Sequence, residues 1–395
     1  MIPTNPIASD SPVDIAAEIS TRLNMAIKEH LLAAYAPDSN KQLRLFPATE
    51  VCDLLDISHQ YLRKATAEGK VLEASEIRGG RRYYSGDEII QLRRDLDTHA
   101  KKNGRYVPCR RGAEHLQRIQ IMNFKGGSSK STTCIHLAHY LALKGYRVLA
   151  IDLDPQASLT SMCGLQTELD QDIETVFDAI TYDNPIPMAE VVRQTYFPNL
   201  AIAPGGLMLS EFETEAAKQN SLDAPFFMRL HDAIMSVEDD YDVVIIDSPP
   251  SLGFITMSGM AAATSVVVPL TPSMLDVAST AQFLQMASSY MEVIQDIGAK
   301  LSYDDFKLLI TRDEPTDNPS QTIVSFLRAL FQERVMLATS LKSTAIADAV
   351  MLQQSIYELN RSDITRSTYD RAKASMDAVG CEVEKMITAS WGREQ

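Results

Sequence analysis

The sequence predicts an α/β fold: a mostly parallel, doubly wound sheet, preceded by an N-terminal helix and a winged helix-turn-helix unit. Three observations carry that expectation. From Arg118 onward, short apolar runs alternate with longer helical stretches, the pattern of strands covered on both faces. Ahead of them, residues 41–112 hold 15 Lys/Arg against 10 Asp/Glu, although the whole chain has a net charge of −15. A basic module on an acidic body is the asymmetry expected of a protein that meets nucleic acid through one part only. Finally, a loop rich in glycine and serine follows the first apolar run directly.

Taken in order, Ser11-Pro12 supplies a helix cap and a first-turn proline. Ile15, Ile19, Leu23, Ile27, Leu31 and Tyr35 then recur every fourth residue, one apolar stripe on a helix of some 25 residues. The stripe packs either on its own domain or on a second copy, making residues 1–40 a possible dimerisation element. Residues 36–40 read as a loop.

A second unit spans residues 41–100. Thr49 precedes a short helix with Val51, Leu54 and Leu55 inward, a turn follows at Asp56-Ile57, and Ser58 caps a helix carrying His59, Gln60, Tyr61, Arg63 and Lys64. Gly69 ends that helix. A hairpin tipped by Arg78-Gly79-Gly80-Arg81-Arg82 leads to Ser85 and Glu88, the capping box of another helix. A helix, a tight turn, a polar-faced helix and an arginine-tipped wing form a winged helix-turn-helix pattern. His59, Gln60, Arg63 and Lys64 would face a major groove, and Arg78, Arg81 and Arg82 would reach phosphate or the adjacent minor groove. Read more plainly, the same residues are a solvated basic hairpin on a protein-docking domain. Residues 101–117, with Lys101, Lys102, Arg105, Arg110 and Arg111, read as a linker.

The expected strands of the third unit, residues 118–395, are Ile119–Met122, Val148–Ile151, Leu200–Ala203, Val243–Asp247, Ser265–Val268 and Phe306–Ile310. Hydrophobic residues make up 45% of 395 positions, enough for two or three cores, and no repeat or low-complexity tract appears. Five scattered cysteines without a CxxC pair argue against a disulfide framework or zinc ribbon. The first residues have neither the basic start nor the apolar core of a signal peptide, and the run Met257 to Leu270 is too short to span a bilayer. The expectation is a soluble, cytoplasmic protein.

After the first strand comes Asn123-Phe124-Lys125-Gly126-Gly127-Ser128-Ser129-Lys130-Ser131-Thr132, leading into a helix. A phosphate-binding loop needs small residues whose backbone N–H groups converge at a helix N-terminus, a lysine for β/γ-phosphate charge, and a hydroxyl for Mg²⁺. Lys130 and Ser131 fill the last two roles. Phe124 and Ser129 stand where the ordinary motif has glycine, so a pattern search for the standard loop misses this one.

With Lys125 as a second lysine, the loop resembles the deviant Walker A loop of the ParA/MinD ATPase superfamily. Asp152-Leu153-Asp154-Pro155-Gln156 resembles that superfamily's DxDPQ element, and Val243–Asp247 with Ser248-Pro249-Pro250 resembles its Walker B strand and switch loop. Within it, the likeness is to large plasmid-partition ATPases with an N-terminal DNA-binding domain, the RepA group of repABC replicons. The resemblance covers residues 118–390; for residues 1–100 it is mainly architectural.

The resemblance implies ATP and Mg²⁺ as cofactors. It assigns Lys130 to β/γ charge, Ser131 and Asp247 to Mg²⁺, Asp152 to the metal's outer shell, and Asp154 to positioning the attacking water. Gly126, Gly127, Ser128, Ser129 and Thr132 line the phosphates; Thr311 and Arg312 are placed near adenine by analogy. Lys125 would enter the partner subunit's site in an ATP-sandwich homodimer, acting as an arginine finger does. Lys342 aligns with a position that relatives use for sequence-independent DNA contact, and Arg361, Arg366 and Arg371 are further candidates. A ParB/RepB-like centromere-binding protein, operator DNA and non-specific DNA are the implied partners. The implied function is partition of low-copy replicons, with slow hydrolysis, nucleoid association and repression of its own operon. A nucleotide-tuned repressor without a transport role is the alternative. The C-terminal stretch lacks the basic amphipathic face of a membrane anchor, which weighs against a MinD-like role. Cys134, His136 and His139 read as packing, not as a metal site.

Overall fold

The computed structural model describes residues 11–34, 41–101, 104–167, 172–218 and 225–393. The chain divides into two units, Met1–Gln42 and Leu43–Gln395. In the first, helix α1 spans Pro12–Ala34, and the described side chains of its stripe, Ile15, Ile19 and Leu23, are exposed. Tyr35 and the expected loop at 36–40 lie outside the described residues, as does Lys102.

The second unit opens with strand β1 (Phe46–Pro47), helix α2 (Ala48–Leu55) and helix α3 (His59–Ala67). Asp56 between the helices adopts left-handed backbone (φ 52°), which makes the turn tight, and the Ser58 hydroxyl accepts from the Tyr61 N–H to start α3. Strands β2 (Glu76–Arg78) and β3 (Arg81–Tyr84) pair antiparallel, with Arg78 opposite Arg81. A two-residue hairpin turn of type I′ requires positive φ at both central positions, and Gly79 (54°) and Gly80 (74°) meet that requirement. Helix α4 (Gly86–Thr98) begins in the Ser85/Glu88 capping box. The sequence reading missed β1; two residues show no periodicity, and β1 is a strand only because β3 lies beside it.

The remainder is a seven-stranded sheet built from β4 (Gln117–Ile121), β5 (Val148–Asp152), β6 (Arg193–Gln194), β7 (Leu200–Ala203), β8 (Val243–Asp247), β9 (Ser265–Leu270) and β10 (Asp305–Ile310). The spatial order is β10-β9-β4-β8-β5-β7-β6, and every pairing is parallel except that of β6 with β7. Helices on both faces leave the central strands wholly buried, which is why their sequences are unbroken apolar runs. β6 was not expected; it is a short edge strand with no apolar run of its own.

Two features fasten the winged unit to the sheet. The guanidinium of Arg93 in α4, 4% exposed, donates to the carbonyls of Leu54, Tyr106 and Leu143. Leu54 and Leu143 lie in the last turns of α2 and of α5 (Lys130–Lys144), so two negative helix ends surround a charge that has no carboxylate within ion-pair distance among the described residues, Glu384 acting on it only from farther away. The segment expected as a linker is also tied down. Asp97 accepts from the N–H groups of Gly104 and Tyr106, and Asp242 accepts from that of Arg110.

Candidate nucleotide site and candidate DNA interface

In an open parallel sheet, ligands bind beyond the carboxyl ends of the strands, where the strand order changes direction. Here β4 lies between β8 and β9, and the loop 122–129 leaves its carboxyl end. Strand register assembles the acidic half of the site: Asp247 of β8 pairs with Asp152 of β5 on one side and with Ile121 of β4 on the other. Two carboxylates some 95 positions apart in the chain thus become neighbours, next to the start of the loop.

The loop is shaped by its own backbone. Gly127 (φ 77°) and Ser129 (φ 71°) are both left-handed, the conformation that favours glycine. Ser129 therefore occupies a glycine geometry at the expense of strain, directly ahead of α5. A Cβ added at Gly126 would meet no protein atom within 4 Å, so crowding by the protein does not dictate a glycine there. That open space leaves the backbone accessible to close approach by a ligand. Asn123 holds the loop's entry: its Oδ1 accepts from the Lys125 N–H, and its Nδ2 donates to the Pro269 carbonyl and the Thr280 hydroxyl. Thr311 supports the far side by donating to the Ser128 carbonyl at 3.2 Å. Arg312 (φ 51°) lines, with Lys125, Gly126, Gly127 and Ser128, a cavity of about 120 Å³.

The carboxylates differ in what satisfies them. Asp152 accepts from the Asp154 N–H at 3.1 Å and from the Thr160 N–H and hydroxyl at 2.9 and 2.8 Å, so both of its oxygens are engaged. Asp154 is 8% exposed and accepts from the Gln156 N–H. Asp247 is fully buried, and among the described residues neither of its oxygens has a hydrogen-bond partner. Burial, then the Asp152 charge, pushes its carboxyl well above the usual range, with Ser131 and Lys130 pulling the other way. Burial likewise pushes Asp152 up to about 6 and lowers the Lys130 ammonium, which the charges of Asp247 and Asp154 partly offset. A buried carboxylate without hydrogen-bond partners, only partly offset by one lysine, is costly unless a further cation joins it. That donor set fits Mg²⁺.

Lys125 forms an ion pair with Asp276, a residue in the first turn of the helix Met274–Asp296, where the Ser273 hydroxyl accepts from its N–H. Sequence reading missed Asp276, Thr160 and Asn123. Asn123 carried a signal, since it sits at the strand end just before the loop. Asp276 reaches the site only through the tertiary fold, whereas Thr160 comes from the short helix Ser158–Met162 just beyond the Asp152–Gln156 run. Gly205 was missed as well: a Cβ there would lie 2.8 Å from the Asp152 carbonyl oxygen, so the chain end of β7 can approach β5 only as glycine. His136 and His139 are buried on α5; His136 accepts from the Ile356 N–H, and His139 stacks on Phe197 at 3.8 Å between ring centres.

In the winged unit, His59, Gln60, Arg63 and Lys64 are exposed along α3, with the His59 Nδ1 3.6 Å from the Cys52 sulfur and Lys64 3.8 Å from Glu68. Arg78 is held by Glu76 and lies over the Tyr83 ring. Among the described residues, Arg63, Arg81 and Arg82 have no carboxylate within ion-pair distance. Lys342 lies elsewhere, beyond β10, paired with Glu314 at 2.7 Å. Among the described residues, no helix is long and apolar enough to cross a membrane.

Comparison with known proteins places this geometry. The AAA domain family matches residues 116–302. "Putative replication protein A" of Rhizobium rhizogenes is 45% identical over 94% of this chain and 93% of its own length. The chromosome partitioning protein ParA of Myxococcus xanthus is 32% identical over 55% of this chain and 72% of its own. Among solved structures, one described as a partition protein superposes with a TM-score of 0.60 at 17% identity, covering 97% of this chain and all of its own. Cobyrinic acid a,c-diamide synthase of Mycobacterium smegmatis, with an ATP analogue and magnesium bound, has a TM-score of 0.50 at 26% identity over 60% of this chain and 94% of its own. The strand-end carboxylates, the two-lysine loop and a relative matched along nearly its whole length lead to one conclusion: the chain belongs to the ParA/MinD superfamily of P-loop ATPases, alongside the rhizobial replication A proteins.

Proposed function

We propose that this chain is a partition ATPase for a low-copy replicon, binding ATP with Mg²⁺ and hydrolysing it slowly. The observation that carries the reading is Asp247, a buried carboxylate with neither oxygen hydrogen-bonded among the described residues, beside Lys130 and Ser131. Ser131 and Asp247 would hold Mg²⁺, with Asp152 in its outer shell; bound there, the ion neutralises phosphate charge. Among the described residues, no cluster of three or more His, Cys, Asp or Glu side chains could by itself hold a metal ion. The other oxygens around the ion would therefore come from the nucleotide and water. Lys130 binds the β- and γ-phosphates, Gly126 to Thr132 surround them, Asp154 orients the attacking water, and Thr311 and Arg312 flank the base.

Lys125 would leave Asp276 and cross to the nucleotide of a second copy, so that only ATP, with its γ-phosphate, favours the dimer. The exposed α1 stripe adds a further self-association surface. The ATP dimer would ride on non-specific DNA through Lys342 and neighbouring cations, and a ParB/RepB-like partner would stimulate hydrolysis and release it. The organisation we infer is an α1 segment (1–40), a winged DNA-binding unit (41–100), a connecting segment (101–117) and the ATPase (118–395). The winged unit would bind an operator and repress the operon. Having Asp154 and Lys125 together favours a hydrolytic cycle over a pure repressor, which needs neither. Phosphate release from ATP by the wild type and by Lys130→Ala tests the reading: turnover that requires Lys130 and Mg²⁺ supports it, and turnover indifferent to both contradicts it.

A further inference from the structure

A cleft of about 1090 Å³ separates the winged unit from the C-terminal part of the core. One wall carries His59 and Arg63 from the start of α3 together with Arg81 and Arg82 from the wing; the other carries Arg361 and Lys373. Six Lys/Arg side chains line it against three Asp/Glu, in a chain whose net charge is −15. A local reversal of sign on an acidic protein is the footprint of a polyanion. Small-molecule pockets run to roughly 1,000 Å³ with mainly apolar linings. This cleft is at least that large, and nine of its lining side chains are charged, six of them cationic, which favours a nucleic-acid backbone.

We propose that DNA gripped by the winged unit is also held by the ATPase core, with Arg361 and Lys373 contacting phosphates of the duplex lying against α3 and the wing. The inference rests on the reading of the winged unit as a DNA-binding element. Both cations are held in position by neighbours without being used up. Arg361 pairs with Asp370 through its Nε and Nη2 groups, which leaves three of its five N–H donors for another acceptor. The Arg361 and Asp370 side chains are 53% and 45% exposed, and exposed pairs are weak enough for a phosphate to compete. The Lys373 ammonium pairs with Asp377 at 2.7 Å, again keeping donors free. Interactions of this type fix the register and orientation of the duplex without reading its sequence. Specific binding would thus depend on two elements separated by more than 250 residues of chain, one of them built on the helix Arg366–Ser390 of the core.

The test uses the full-length protein with ADP and Mg²⁺, and a duplex taken from immediately upstream of its own reading frame, titrated with salt. The slope of log affinity against log salt falls by about 0.9 for each phosphate that the protein no longer neutralises. Arg361→Gln combined with Lys373→Gln should flatten it by about 2 and weaken binding about tenfold, with the thermal midpoint checked for each variant. Asp370→Asn, which removes the competing carboxylate and keeps Arg361, should tighten binding. If Arg81→Ala with Arg82→Ala abolishes binding while the Arg361/Lys373 variant keeps wild-type affinity and slope, the shared grip is wrong and the winged reading stands. If neither pair changes binding, or the wild type does not bind the duplex at all, both fail.

Discussion

The nucleotide edge of the sheet and the winged unit handle charge in opposite ways. At the carboxyl ends of the strands the charges are buried: Asp247 is fully enclosed with no hydrogen-bond partner among the described residues, Lys130 is 7% exposed, and burial opposes ionisation of both. On the outer face of the winged unit, by contrast, Arg63 and Arg81 sit in solvent with no acidic partner among the described residues. A buried, unsatisfied group costs free energy that only a matching ligand returns, so it narrows the ligand's identity. Exposed arginines cost little to maintain, and they define no more than a class of partner. The nucleotide assignment is accordingly the sharper of the two.

Substitutions can break that contrast or sharpen it. The largest effect should follow Lys130→Ala, which removes the loop's buried cation: ATP binding should be lost by calorimetry, while duplex binding by the winged unit survives. Arg81→Ala with Arg82→Ala should do the reverse, abolishing binding to the upstream duplex with ATP turnover intact. Loss of both activities together would end the view of two separable sites.

Arg93→Ala tests the joint between them. It leaves the carbonyls of Leu54, Tyr106 and Leu143 without their donor and should cost about 2–3 kcal/mol in urea unfolding.

A pH effect of similar size is expected from His136, whose imidazole is pushed down to about 4 by burial. The Nδ1 of His136 is 2.6 Å from the Thr132 carbonyl and its Nε2 accepts from the Ile356 N–H, so protonation would set two donors against each other. Because the folded-state value lies below the unfolded one, the neutral ring's contribution is full above about pH 6.5 and is lost as pH falls toward 4, by about 3 kcal/mol. His136→Gln, which keeps one donor and one acceptor, should flatten the acid limb of a stability–pH curve relative to wild type. The smallest effect is Ser129→Gly: relief of the left-handed serine should raise stability by about 1 kcal/mol, read as a higher thermal midpoint.

Much of the sheet was legible because buried parallel strands are written as apolar runs. Leu200–Ala203 and Val243–Asp247 match the expected bounds, three others differ by one or two residues at one end, and Ile119–Met122 differs from Gln117–Ile121 at both. The hairpin was legible for another local reason, the Gly79-Gly80 pair. What the sequence did not disclose are contacts made by topology. Asp152 faces Asp247 only because β5 and β8 are adjacent, and Asp276 reaches Lys125 across about 150 residues. The cleft shared by Arg82 and Arg361 was hidden in the same way, since nothing in either segment points to the other.

The most direct test of the central claim is binding to random-sequence duplex DNA at fixed salt, with ATP, with ADP and without nucleotide. The account predicts tight binding with ATP alone, because only the γ-phosphate rewards the movement of Lys125 from Asp276 to a second subunit. Equal binding in all three states would remove the ATP-gated step and leave the nucleotide-tuned repressor as the better description.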